Sequence, residues 1–219
     1  MAKSEPVAPE VIEGDASESI MEWARTNSRA LSIGGMVVVA LAALGLLWRA
    51  SADKKEVRAS QALASAQAVV QSGNAALAQS DLQALLRRYG GTTAAIQARL
   101  VLAQVHFGQG KVDEGLRELN EIKSPGLFAA SVHSMRAAGL EQAGKPGEAA
   151  PEYEKASEAA STPLAKGAYR SDAARAYLAA GNRDAAKRIW ESIASDDSSP
   201  LAGEAKIRIG ELTAKPIGS

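Results

Sequence analysis

The motif ARLVLAQVHFGQGKVDEGLRELNEI, residues 98–122, occurs in this chain in three related copies. The others are VHSMRAAGLEQAGKPGEAAPEYEKA at 132–156 and YRSDAARAYLAAGNRDAAKRIWESI at 169–193. Each copy has a small residue, then a glycine seven positions later, a second small residue five after that and a bulky residue four further on. These positions hold Ala103, Gly110, Gly115, Leu119; Ala137, Gly144, Ala149, Tyr153; and Ala174, Gly181, Ala186, Trp190.

This pattern predicts a pair of antiparallel helices in each copy. The glycine ends the first helix because it tolerates the left-handed turn that a side chain resists. The small residues let the two helices approach closely, and the bulky residue packs between neighbouring pairs. Hydroxyl-proline pairs are typical helix starts, and they follow at Ser124-Pro125, Thr162-Pro163 and Ser199-Pro200, with Thr92 or Thr93 in that role before the first copy.

The order small–Gly–small–bulky with a spacing near 34 residues resembles the tetratricopeptide repeat over about 98–200. The resemblance implies an all-α fold, an α-solenoid of degenerate helix hairpins. It is weaker on the first helices, where a position usually bulky holds Arg99, His133 and Arg170. We expect residues 56–89 to add a hairpin that breaks at Gly73-Asn74, and 200–213 to form a capping helix.

A separate apolar stretch, ALSIGGMVVVALAALGLLW at residues 30–48, contains no charged residue. A helix of this length spans roughly 28 Å, close to the hydrocarbon core of a bilayer. Trp23, Arg29, Trp48 and Arg49 are the expected anchors at the two membrane interfaces. Two alternatives are a buried core helix and a signal peptide cleaved near Ala50-Ser51-Ala52; the length of the apolar run and the acidic region before it disfavour them.

The predicted organisation along the chain follows from these patterns. It is a disordered acidic tail at 1–19, an amphipathic lead-in at 20–29, a transmembrane helix at 30–48, juxtamembrane helices and a first hairpin at 49–91, three repeats at 92–199, a capping helix at 200–213 and a tail at 214–219.

Composition excludes several kinds of chemistry. The chain has 25 basic and 25 acidic residues, which gives no reason to expect a nucleic-acid partner. It has no cysteine, so disulfides, thiolate zinc sites and thiol nucleophiles are excluded. The only histidines, His106 and His133, lie 27 residues apart, and we expect each to pack in a hairpin interface. Asp196-Asp197 is expected to be solvated or to cap a helix. We therefore expect no enzyme activity, catalytic residue, cofactor, metal or small-molecule substrate.

The candidate binding site is instead the concave face lined by the first helices. The repeat phase assigns to it Gln97, Leu100, Gln104, Phe107, Ser134, Glu141, Gln142, Ser171, Arg175 and Leu178. This mixed surface lacks the Lys and Asn cluster that would hold a peptide C-terminal carboxylate, so extended or helical polypeptide segments are the expected ligands. The alternative is that the face is only solvated.

Several motifs resemble the YfgM-like ancillary subunits of the bacterial Sec translocon over roughly 20–213. WARTNSRAL at 23–31 resembles the family's entry to the membrane, Trp48-Arg49 its exit, and ASQA at 59–62 and ARLVLAQ at 98–104 its first helices. The resemblance implies an inner-membrane protein with a cytoplasmic N-terminus, a periplasmic domain over 49–219, and the Sec translocon, periplasmic chaperones or emerging chains as partners.

The basic residues near the membrane favour the opposite orientation. Arg25 and Arg29 precede the apolar stretch, whereas Arg49, Lys54, Lys55 and Arg58 follow it. A difference of two basic residues is a weak bias, so we follow the resemblance for the orientation.

Three functional hypotheses remain at this stage. The first is a membrane-anchored interaction scaffold that links the Sec channel to periplasmic chaperones. The second is a structural or assembly subunit of another membrane complex, docked through small residues such as Gly34-Gly35 and the alanines at 40, 42 and 43. The third, a periplasmic enzyme, is the least favoured.

Overall fold

The computed structural model of the chain describes residue 21, residues 23–196 and residues 199–214. The expected tail at 1–19, most of the tail at 214–219, and Asp197 lie outside the described residues. The chain divides into two compact units, residues 1–54 and residues 55–219.

All regular structure in the described part of the chain is helical. The α-helices are α1 Ser28–Gln71, α2 Ala75–Tyr89, α3 Thr93–Gly108, α4 Val112–Asn120, α5 Ala129–Gln142, α6 Pro146–Ala159, α7 Pro163–Ala179, α8 Arg183–Ala194 and α9 Ala202–Thr213, with a 3₁₀ turn at Gly126–Phe128.

The first unit contains the apolar stretch, which is part of α1. Residues 23–26 are helical, and Asn27 forms a turn in which both its backbone N and its Nδ2 donate to Trp23 O. From Ser32 onward α1 is long and apolar enough to cross a membrane. Its large apolar side chains from Ile33 to Trp48 are 51–77% exposed, so no other described residue covers them. Trp23, Arg29, Trp48 and Arg49 are likewise exposed.

The second unit is a solenoid in which each helix packs mainly on its neighbours in sequence. Apolar clusters follow one another along the stack: α1, α2 and α3 share the first, α3, α4 and α5 the next, α5, α6 and α7 the third, and α7, α8 and α9 the last. We call α3–α4, α5–α6 and α7–α8 the first, second and third hairpins.

The turns between paired helices use glycine in the left-handed region. Gly73, Gly110, Gly144 and Gly181 have φ between 73° and 80°. In the first hairpin Gly110 N donates to Phe107 O and the next residue, Lys111, donates to His106 O, which satisfies two end carbonyls of α3.

The small and bulky repeat positions lie inside the stack. Tyr153 is 8% exposed and Gly115 is buried. Full burial, at 0% exposure, is found for Ala103, Ala137, Ala174, Ala149, Ala186, Leu119 and Trp190.

The helix starts follow the hydroxyl-proline pattern unevenly. Thr92 and Thr162 accept hydrogen bonds from the backbone N of Ala95 and Ala165, each at 3.2 Å. After Ser124-Pro125 the left-handed φ of Gly126, 53°, interrupts the helix start. A 3₁₀ turn spans Gly126–Phe128, and α5 begins only at Ala129. At Ser199-Pro200 a tight first turn, with Ala202 N donating to Ser199 O, precedes α9.

Candidate partner-binding faces of the repeat domain

The expected concave face divides into buried and exposed positions. Leu100, Ser134 and Ser171 occupy one repeat position, and Leu100 and Ser171 are buried at 9% and 5% exposure. Leu100 packs with Leu119 and Val132 of the adjoining helices. Contrary to the expectation, Leu100 and Ser171 do not line an open face, because this position points into the contact between helices; Ser134 is half-buried.

Phe107 and Leu178, also expected on that face, contribute to packing. Phe107 packs against the cluster of α3, α4 and α5, and Leu178 against the cluster of α7, α8 and α9. A Cβ at Gly115 would lie 2.3 Å from Phe107 Cε1, and one at Gly139 would lie 2.6 Å from Phe107 Cζ. The Phe107 ring therefore occupies a slot that two glycines create.

The remaining expected face residues reach solvent. Gln104, Glu141, Gln142 and Arg175 are exposed, and Gln97 is half-buried. Gln142 Nε2 donates to Phe107 O at 3.3 Å, which ties the second hairpin to the first. Arg175 forms an ion pair with Asp172 on its own helix. This face is thus polar, with few apolar side chains to hold a ligand.

A second group of polar residues joins the two helices within a hairpin. In the first hairpin Arg99 Nη1 lies 2.6 Å from Glu118 Oε2. In the second, the equivalent residues are His133 and Glu152, with Nδ1 2.8 Å from Oε2. Both pairs are 19 residues apart in sequence and about three-quarters buried. An ionised carboxylate only accepts, so His133 Nδ1 carries the proton.

Glu152 is the centre of the larger network. Arg136 Nη1 lies 3.0 Å and Lys155 Nζ 2.6 Å from its carboxylate, and Arg136 Nη2 also donates to Leu119 O of the preceding hairpin. Burial by itself would raise the pKa of Glu152, but the hydrogen bonds from His133, Lys155 and Arg136 outweigh it and lower the pKa to about 2. The carboxylate therefore stays charged at neutral pH.

The third hairpin lacks a glutamate at the position of Glu118 and Glu152. Ile189 stands where the other hairpins have Glu118 and Glu152. In the second hairpin Tyr153 Oη donates to Glu141 at 2.7 Å, whereas the equivalent Trp190 and Leu178 cannot form such a bond. Within the part of the chain that the structure describes, Trp190 Nε1 is buried without a hydrogen-bond partner. The third hairpin thus replaces polar contacts with apolar packing.

An open groove of about 690 Å³ lies along this hairpin, between α6, the first half of α7 and α8. Arg170, the equivalent of Arg99 and His133, lines it and is exposed. Within the described residues, Arg170, Lys166 and Arg188 form no ion pair with a carboxylate within 4.0 Å. The other walls are charged or apolar, formed by Glu154, Glu158, Asp196, Pro163, Ile189 and Ile193.

Tyr177 forms part of the groove wall as a fixed donor. Its Oη donates to Glu154 Oε2 at 3.1 Å, across from α7 to α6. Burial and then the hydrogen bond to Glu154 raise the pKa of Tyr177, so the phenol remains protonated. One of the groove's carboxylates is therefore already paired.

The first hairpin carries a smaller groove of about 380 Å³ at the corresponding place. Thr92, Ile96 and Arg99 line it, together with Ile122 and Lys123 at the end of α4. Here the guanidinium of Arg99 is held by Glu118. The two grooves therefore differ in whether the arginine is free to bind a ligand.

The histidines take part in contacts between helices. His106 Nδ1 lies 3.3 Å from Gln79 Nε2 of α2, and His133 faces Glu152 as described above. Among residues 21, 23–196 and 199–214, no three His, Asp or Glu side chains are grouped as metal ligands would be.

The cross-hairpin carboxylates Glu118 and Glu152 were not among the residues predicted from the sequence. A signal was present, because Glu118 and Glu152 each come directly before the bulky repeat residue, 19 positions after Arg99 and His133 respectively. The unpaired Arg170 would have followed from the isoleucine at the third such position.

Comparison with known families identifies repeats over most of the second unit. Residues 49–166 match the model of a tetratricopeptide repeat-like domain, and residues 167–192 match a tetratricopeptide repeat. Among curated proteins, no match to the chain is found.

Proposed function

The chain belongs to the tetratricopeptide repeat-like domain family, and from this premise we propose that it is a membrane-anchored scaffold that holds other proteins through its repeats. The family match extends over more than half of the chain. Domains of this kind are typically protein-interaction modules, since stacked hairpins expose long grooves and faces. The observation that carries the proposal is that one chain contains both such a solenoid and a helix, α1, with exposed apolar side chains.

Membrane anchoring is supported by the apolar side chains of α1. Those between Ile33 and Trp48 remain more than half exposed. Each large apolar side chain is worth about 1.5–3 kcal/mol when taken out of water, so an uncovered stretch of this length needs lipid or a partner. The absence of any charge in residues 30–48 favours lipid.

The partner complex that we propose is the Sec translocon, with periplasmic chaperones or emerging chains bound by the repeats. This assignment follows from the resemblance of 23–31 and Trp48-Arg49 to the YfgM-like family. It places the N-terminus in the cytoplasm and the domain over 49–219 in the periplasm. Gly34, Gly35 and Gly45 have no atom within 4 Å of a built Cβ, which leaves room for a neighbouring membrane helix.

A pull-down of the full chain tests the partner. The chain carries a C-terminal tag and is recovered from native membranes in mild detergent, with mass spectrometry of what accompanies it. Stoichiometric Sec channel together with a periplasmic chaperone is the expected result. Recovery of one different membrane complex without Sec would instead make the chain a structural subunit of that complex.

A matched control separates anchoring from docking. Residues 30–48 are replaced by a Leu/Ala helix of the same length, which retains insertion but removes the native side chains. We expect this variant to stay in the membrane and to lose the channel. A chain that leaves the membrane fraction even with the native segment would contradict the anchor.

The orientation is tested by C-terminal reporters. Alkaline phosphatase, which is active only in the periplasm, should be active when fused after Ser219. Activity of a reporter that works only in the cytoplasm would reverse the orientation while leaving the scaffold role in place.

A further inference from the structure

We propose that the groove between α6, α7 and α8 binds an extended segment of a partner polypeptide by holding an Asp or Glu side chain of that segment on Arg170. The proposal rests on the interaction role of the repeats proposed above. It gives that role a site and a partner chemistry.

Arg170 has the same repeat position as two residues that are each paired with a glutamate. The first hairpin holds its cation, Arg99, with Glu118 at 2.6 Å, and the second holds His133 with Glu152 at 2.8 Å. The third keeps the cation as Arg170 but has Ile189 in place of the glutamate. The fold thus shows which group suits this position, namely a carboxylate, and only in the third hairpin must it come from outside.

The groove is large enough to hold more than one side chain of a bound segment. Its volume is about 690 Å³, and the exposed Pro163 and half-buried Ile189 provide apolar surface in the same groove as Arg170. Lys166 and Arg188 line it as well and, like Arg170, lack an ion pair within the described residues. An extended chain could therefore bury small apolar side chains on both sides of its acidic residue.

The balanced charge of the groove favours a polypeptide over a membrane surface as its ligand. The groove is lined by three basic side chains and by three acidic ones, Glu154, Glu158 and Asp196. An anionic lipid surface is attracted by an excess of basic residues, which this groove does not have. A single directed carboxylate contact needs no such excess.

Fluorescence anisotropy with the full chain in detergent micelles tests the proposal. The probe is the fluorescein-labelled peptide Ala-Val-Ala-Glu-Ala-Val-Ala with both ends blocked, and its match has Gln in place of Glu. We expect the Glu peptide to bind about tenfold more tightly, as a charged hydrogen bond in a partly shielded groove gives. Arg170→Ala should remove the preference, whereas Arg117→Ala, at an exposed arginine of α4 that pairs with Glu114, should retain it.

A second variant tests the site without removing the arginine. Ile189→Glu supplies the internal acceptor that the other hairpins have, so Arg170 should be occupied and the preference for the Glu peptide lost. Ile189→Gln is the matched uncharged change and should keep the preference. Unchanged circular dichroism of all variants shows that the hairpin remains folded.

Equal affinity for the two peptides, or no binding of the Glu peptide to the native chain, would overturn the proposal. Displacement of the probe by glycerol phosphate as readily as by the unlabelled Glu peptide would overturn it in favour of a lipid headgroup. Failure here differs from failure of the scaffold role. Suppose that Arg170→Ala recovers the same membrane complex as the native chain, and that the native chain binds the two peptides equally. The proposed binding site in the groove is then wrong, and the scaffold role stands.

Discussion

The second and third hairpins have the same backbone plan and different means of holding it together. In the second, hydrogen bonds and ion pairs join α5 to α6 around Glu152. In the third, apolar contacts join α7, α8 and α9 around Trp190. The substitutions that separate them occur at equivalent positions: Glu152 and Ile189, Tyr153 and Trp190, Glu141 and Leu178, Arg136 and Ala173.

The same repeat position therefore stabilises one hairpin and leaves a basic residue exposed in another. When the glutamate is present, the cation of the first helix is held within the hairpin. When isoleucine replaces it, stability must come from burial, and the cation of α7 stays available in a groove. Degeneracy among the repeats is therefore where a partner-specific site can arise.

The largest expected effect comes from removing the apolar centre of the third hairpin. Trp190 is 0% exposed, so Trp190→Ala should lower the free energy of unfolding by about 4 kcal/mol through lost burial and a residual cavity. Urea unfolding of the full chain in micelles, followed by circular dichroism, measures it. A loss below about 1 kcal/mol would mean that the third hairpin does not depend on this packing.

The next effect is in the second hairpin. Glu152→Gln leaves His133 and Arg136 half-buried without their shared carboxylate, and the free energy of unfolding should fall by about 2–3 kcal/mol. The matched control is Glu191→Gln, since Glu191 is exposed and its ion pair with Lys187 is long, at 3.7 Å. That control should cost less than about 1 kcal/mol. Equal losses in the two variants would remove the distinction between the hairpins.

The hairpins themselves could be predicted from the sequence because their signals are local. A glycine at φ 73–80°, a small residue at a helix crossing and a buried bulky residue recur at fixed offsets. Apolar composition alone likewise identified the membrane-length segment of α1.

The binding face could be predicted only in part, because it depends on how neighbouring hairpins meet. Leu100 and Ser171 were expected on the open concave face, yet both are buried in the stack. The slot that Gly115 and Gly139 provide for Phe107 joins residues from two hairpins, which a repeat alignment treats separately. The groove beside Arg170 required knowing which residue faces it across the hairpin.

The pH dependence should also distinguish the two hairpins. The pKa of Glu152 is lowered from 4.5 to about 2, so its contribution is fully present above pH 4.5 and is lost as the pH falls toward 2. The difference in unfolding free energy between the native chain and Glu152→Gln should therefore shrink across that window. Trp190→Ala should show a constant difference over the same range. Parallel pH profiles for native chain and Glu152→Gln would contradict the lowered pKa.

A smaller effect tests the contact between the first and second hairpins. Gly139→Ala introduces a Cβ 2.6 Å from Phe107 Cζ and 2.9 Å from Leu116 Cδ2, so the overpacking should exceed the helix-propensity gain and cost about 1–2 kcal/mol. Gly210→Ala in α9 meets no atom within 4 Å and should instead stabilise by about 0.5–1 kcal/mol. Urea unfolding measures both changes in the free energy of unfolding. If both variants are stabilised, the Phe107 slot is not tight.

The smallest expected change in stability is the one that converts the third hairpin toward the second. Ile189→Glu gives up part of a half-buried apolar side chain but gains an ion pair with Arg170, as Glu118 has with Arg99. The two terms nearly cancel, so the free energy of unfolding should change by less than about 1 kcal/mol. Ile189→Gln loses the burial without the ion pair and should be the less stable variant. If Ile189→Glu is instead less stable than Ile189→Gln, Arg170 does not reach this position. The hairpins then share their backbone arrangement but not this side-chain contact.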